Sequence, residues 1–199
     1  KHNGPVEDIA LVNSLIGLKT FKGKINFNTY ASLEAQISAI SDDIAYNNHD
    51  IQDGIKANLF KLEELVEIDF FKSIYLKYKN KINKRNYKIA TYQIIRDSID
   101  LMIRDLLTNI QKNLKELKIK SAKDVAKTDQ LVVSFSDRLQ NSEKEIRLFL
   151  RTKMYNNTSV LIKNQRGKMI IKKLFDLIKS NPRKFLSKDQ LTRDKFRAI

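Results

Sequence analysis

The stretch YKIATYQIIRDSIDLMIRDLLTNIQKNLKEL, residues 87–117, holds neither glycine nor proline. Its apolar side chains recur at Ile89, Tyr92, Ile95, Ile99, Met102, Ile103, Leu106, Ile110, Leu114 and Leu117. Steps of three and four are the period of an α-helix and not the alternation of a strand. One long helix is therefore predicted here, and it sets the class of the chain.

Toward the N-terminus the same reasoning gives shorter helices. Residues 70–78 are an aromatic-rich helix, 61–66 a short one, and KNKINKRN (79–86) a basic connector. Ser32 is a predicted N-cap with Glu34 in the first turn behind it. Leu33, Ile37, Ile40, Ile44 and Ala45 then carry a helix to about residues 48–50, and Asp53-Gly54 reads as a stop or kink. Residues 1–29 are irregular, with turn chemistry in HNGP and room for a short helix over 7–18. Toward the C-terminus, residues 121–136 contain a brief extended piece, QLVVSFS. Helix resumes from Asp137, and a last helix covers about 160–179 before Asn181-Pro182 ends it. The predicted class is all-α. The expected division is residues 1–60, which hold the candidate site, and a helical region over 61–199.

The chain has 199 residues, enough for a buried core. It carries 38 Lys and Arg against 23 Asp and Glu, a formal charge of +15. That balance makes phosphates, nucleic acid or an anionic surface candidate partners, and Lys-rich composition is the plain alternative. Without cysteine there is no disulfide framework, thiolate zinc site or cysteine nucleophile. No apolar run is long enough to span a membrane, and no signal peptide is visible, so the expected compartment is the cytoplasm. The ends read like those of a piece cut from something longer.

The segment SLEAQISAISDDIAYNNHDIQDGI (32–55) carries the chemistry. Each helical residue advances about 100°. From Asp42, Tyr46 lies about 40° round, Asp50 about 80° round, and His49 about 20° the other way. One face thus offers two carboxylates, a phenol and an imidazole. Carboxylates and imidazole are ligands for divalent metals, and a phenol donates to phosphate oxygens. Such residues on the outer face of an amphipathic helix usually just solvate it. One Asp and one His on a single helix need ligands from elsewhere to complete a metal site. A second cluster lies in EIRLFLRTKMY (145–155), where Arg147 and Tyr155 fall about 80° apart on one helix. Tyr155 could instead pack in the core, with Arg147 paired to Glu143. Lys56, just past the first segment, could face phosphates or solvent.

The segment 32–55 closely resembles the bacterial deoxynucleoside triphosphate triphosphohydrolases, the dGTPase-like branch of the HD superfamily. HNGP, LVVSFS and FLRTKMYNN resemble further family segments in the same order. The resemblance implies an all-α fold, the C-terminal helical part of an HD-domain phosphohydrolase. It implies hydrolysis of a dNTP to a deoxynucleoside and tripolyphosphate. The family holds one divalent metal (Mg, Mn or Fe) with two His and two Asp. By resemblance Asp42 is the last of these ligands, while Tyr46 and Asp50 contact the triphosphate and the sugar. By resemblance to the related eukaryotic HD-domain triphosphohydrolase, Arg147 contacts phosphate and Tyr155 lines the nucleotide pocket. Lys56, from its position, is a further substrate-binding candidate. His49-Asp50 is then not the family's metal-binding dipeptide. The early His and the His-Asp pair have no counterpart among these residues, where only His2 and His49 occur. No catalytic residue is assigned within this chain. The implied partners are a dNTP, the missing N-terminal half of the HD domain and a homo-oligomer. The rival reading is a catalytically inert split-gene product, acting as a basic helical interaction module or a single-stranded nucleic-acid binder.

Overall fold

The computed structural model describes residues 28–186, together with Val6, Asp8 and Ala10. His2 and most of the short helix predicted over 7–18 lie outside the described residues. Among the described residues every regular element is helical. In order these are α1 (Leu33–Lys56), a 3₁₀ turn (Leu62–Glu67), α2 (Asp69–Tyr78), a second 3₁₀ turn (Lys79–Lys81) and α3 (Tyr87–Glu116). Then come α4 (Ala122–Lys127), α5 (Asp137–Leu150), a π turn (Arg151–Tyr155), α6 (Thr158–Ser180) and α7 (Pro182–Phe185). The chain divides into two compact units, Lys1–Arg151 and Thr152–Ile199. No helix among the described residues is long and apolar enough to cross a membrane.

In the first unit, α1 starts where its cap predicts. The Ala35 N–H donates to Ser32 Oγ at 3.4 Å, satisfying one of the orphan donors of a helix N-terminus. The helix does not stop at Gly54. It runs on to Lys56 and ends where Asn58 takes a left-handed φ of 54°, which asparagine tolerates better than most residues. Gly54 serves packing instead: a Cβ there would run into the Phe60 ring. Phe60 is itself buried, edge-on to Phe149 with centroids 4.9 Å apart.

The core forms where α1 and α2 pack on α3 and where α5 packs on α1. Ile44, Ile51 and Ile55 of α1 are buried, as are Phe71 and Ile74 of α2 and Ile146, Phe149 and Leu150 of α5. The face that α3 buries is Ala90, Thr91, Ile94, Ile95, Ser98, Met102 and Leu106. It is rotated roughly a quarter turn from the predicted stripe, and Ile89, Tyr92 and Ile103 are exposed. The small residues Ala90, Thr91 and Ser98 sit on the packed face, and short side chains there allow a close helix approach.

The extended piece predicted in 130–136 forms no strand. Side chains clip it to two helices instead. Gln36 Oε1 of α1 accepts from the Val132 and Val133 N–H groups at 3.1 and 3.0 Å. Asn109 and Asn113 of α3 donate to the carbonyls of Ser134 and Val132 at 2.8 and 2.9 Å. Asp105, one turn earlier, accepts from the Ser136 N–H at 2.9 Å and from its hydroxyl at 2.6 Å. Val132, Val133 and Phe135 are thereby held in the core. The sequence reading also passed over α4, which a reciprocal cap between Ser121 and Asp124 nucleates.

In the second unit, α6 is capped by Asn157, whose side chain accepts from the Ser159 N–H at 3.0 Å. It ends before Pro182, as predicted, because proline cannot continue the ladder. None of its residues is buried, and Ile162, Ile170, Ile171, Leu174 and Phe175 are exposed.

Candidate functional site

Helix α1 presents two opposed kinds of side chain near its middle. Toward the core lie Ile44, Asn47, Asn48 and Ile51, all buried. Asn48 Nδ2 donates to the Ile44 carbonyl at 2.8 Å and contacts Met102 Sδ at 3.4 Å. Away from the core lie Asp42, Asp43, Tyr46 and His49, all exposed, with Asp50 half-buried. Tyr46 is 61% exposed. That exposure leaves the ring open to a ligand or a covering segment.

Arg147 is brought to this helix from α5. Its Nη2 lies 3.2 Å from Asp43 Oδ2, and its Nε is hydrogen-bonded to Glu143 Oε1. The same Glu143 oxygen accepts from Asn47 Nδ2 at 3.4 Å. Two residues of α1 and two of α5 thus form one linked group. Burial lowers the Arg147 pKa, but its bond to Glu143 and the charges of Glu143 and Asp43 outweigh that and raise it above the ordinary value. The predicted Arg147–Glu143 pair is present, and the contact with α1 accompanies it.

The other candidates are placed as follows. Lys56 is 14 residues past Asp42, about 21 Å along the axis of α1. It forms an exposed ion pair with Asp53 at 3.2 Å. It also lines a cleft of about 360 Å³ with Gln52, Ile55, Tyr87, Lys88 and Tyr92. Tyr155 belongs to the second unit, half-buried at the end of the π turn.

The donor set can be tested for a metal. Among the described residues no group of three or more His, Asp or Glu is placed to hold one. Hard divalent cations take about six oxygen ligands, and Asp42 alone offers at most two. The described residues therefore do not fit a metal by themselves.

Sequence reading missed the inward anchors Gln36, Asn47 and Asn48. Their signal was visible: asparagines and their like favour caps and turns, so a pair in mid-helix calls for partners.

Among the described residues the chain is helical, with an acidic, tyrosine-bearing helix face and an arginine held against it. Residues 133–196 match the family described as phosphohydrolase-associated domain. The whole chain is 62% identical to a deoxyguanosinetriphosphate triphosphohydrolase-like protein of Pelagibacter ubique, covering 54% of that protein. It is 32% identical over 92% of its length to a protein of the same name from Caulobacter, covering 47% of it. It is 34% identical, again over 92%, to one from Bartonella quintana, covering 46%. By sequence the chain is similar to the deoxyguanosinetriphosphate triphosphohydrolase-like proteins, and it spans about half the length of the curated relatives it matches.

Proposed function

We propose that this chain supplies one wall of the active site of a dNTP triphosphohydrolase, with residues 1–60 completing the HD-domain site. The observation that carries the proposal is the arrangement on α1. Asp42 and Tyr46 are exposed on one face, Asp50 follows, and Arg147 is fixed to the same helix at Asp43. In the reaction water attacks the α-phosphorus, and the 5′ oxygen leaves with the nucleoside. Tripolyphosphate is the other product. Asp42 would be one ligand of a divalent metal whose remaining ligands lie outside the described residues. Tyr46 and Arg147 would meet the charge of the triphosphate. Asp50 would accept from the sugar 3′-hydroxyl. The proposed setting is cytoplasmic and homo-oligomeric.

A second reading, a basic helical module that binds single-stranded nucleic acid or a partner protein, draws on α6. That helix carries Lys163, Arg166, Lys168, Lys172, Lys173 and Lys179 against one acid, Asp176.

The test separates Tyr46 from the metal. In a protein that supplies the remainder of the relatives' length, Tyr46→Phe should lower kcat/KM by about tenfold, the worth of one hydrogen bond to a charged group. Metal content should not change. Loss of metal would mean that the face of α1 has been misread.

A further inference from the structure

We infer that Asp43 is a positioning residue, which holds the Arg147 guanidinium against α1 so that it meets a polyphosphate. The inference rests on the proposed role of Arg147 in phosphate binding. Asp43 follows Asp42 in sequence but points about 100° away from it, beside Asp50 at the edge of the face that Asp42, Tyr46 and Asp50 share. That edge faces α5. The Asp43 carboxylate lies 3.2 Å from Arg147 Nη2, and Glu143 takes the Nε of the same guanidinium. Asn47 is one turn after Asp43, only 5% exposed, and fixes Glu143 in turn.

Arginine has five N–H donors in a planar fork. The two contacts draw on Nε and Nη2, and the fork lets Nη1 donate in the same plane, where a phosphate oxygen is recognised. The clamp settles the rotamer of a long side chain before ligand arrives. An unclamped arginine would lose that freedom only on binding, which weakens affinity.

Asp43 and Arg147 are each about half exposed, at 51% and 54%. A pair this wet adds little to folding stability, so Asp43 should show itself in binding and not in the melting temperature. That separates positioning from a merely structural role.

The experiment is a double-mutant cycle, read as the affinity for inorganic tripolyphosphate by calorimetry. It uses a protein of the relatives' full length. Asp43→Ala should weaken binding by about tenfold, and Arg147→Ala by about a hundredfold. The double variant should bind no more weakly than Arg147→Ala alone, because without the arginine Asp43 has nothing to position. Asp43→Asn, which keeps an acceptor oxygen, should recover to within about threefold of the parent. Additive losses, an unchanged Asp43→Ala, or a parent that binds no tripolyphosphate would each overturn the inference. A parent that binds tripolyphosphate with the expected cycle but hydrolyses no dNTP would leave the positioning role standing and remove the proposed reaction.

Discussion

Asp42→Ala should abolish dNTP hydrolysis in a protein that completes the site, lowering kcat/KM by at least roughly a thousandfold, the scale of losing one strong transition-state stabiliser. Metal content measured on the same sample should fall with it. Stability should not. Asp42 is exposed on α1, and substitution at such a position changes folding by no more than about 0.5 kcal/mol. The effect should also be specific to Asp42. Asp43, its neighbour in sequence, points about 100° away from it, to Arg147, so its loss should leave metal content alone. Full activity and full metal content in Asp42→Ala would remove the assignment.

The largest effect on folding should come from Gln36→Leu. Gln36 is 2% exposed. Its Nε2 donates to the Ala31 carbonyl at 2.8 Å, and its Oε1 accepts from the N–H groups of Val132 and Val133. Leucine fills the volume but answers none of these groups. An orphaned buried donor or acceptor costs about 1–3 kcal/mol, so the loss should reach about 3 kcal/mol or more. A domain whose total stability is about 5–15 kcal/mol will register that plainly. Urea unfolding followed by circular dichroism is the check. A shift under about 1 kcal/mol would mean that water replaces the amide at no great cost.

The helices were legible because their signals are local. The three-and-four spacing of residues 87–117, the Ser32 cap and the Asn181-Pro182 stop are each a matter of neighbouring residues, and all three hold. Signals that depend on packing were not legible. Gly54 looked like a stop, but it is small because Phe60 lies against it. The true stop is Asn58, and only the backbone reveals its left-handed φ. The buried face of α3 turned away from the predicted stripe because Thr91 and Ser98 face the core, although their polarity argued for solvent. Residues 130–136 read as extended because Val132 and Val133 are β-branched, yet side chains and not a neighbouring strand satisfy their backbone.

The candidate site divides in the same way. A helix fixes the relative angles of its own residues, so the shared face of Asp42, Tyr46 and Asp50 follows from spacing alone. Arg147 stands 104 positions after Asp43, and no local rule brings the two together. Its partner Glu143 was readable at one helical turn, whereas the contact with α1 comes from the packing of α5 on α1. The pair Asn47-Asn48 was the overlooked hint: Asn48 bonds back to the Ile44 carbonyl, whereas Asn47 finds its partner in Glu143 of α5.

The most direct measurement is the product of the reaction, followed by phosphorus NMR with a dNTP and a divalent metal, on a protein of the relatives' full length. Tripolyphosphate together with the free deoxynucleoside is expected for the proposed reaction. Pyrophosphate with a deoxynucleoside monophosphate, or no turnover of any dNTP, would contradict it.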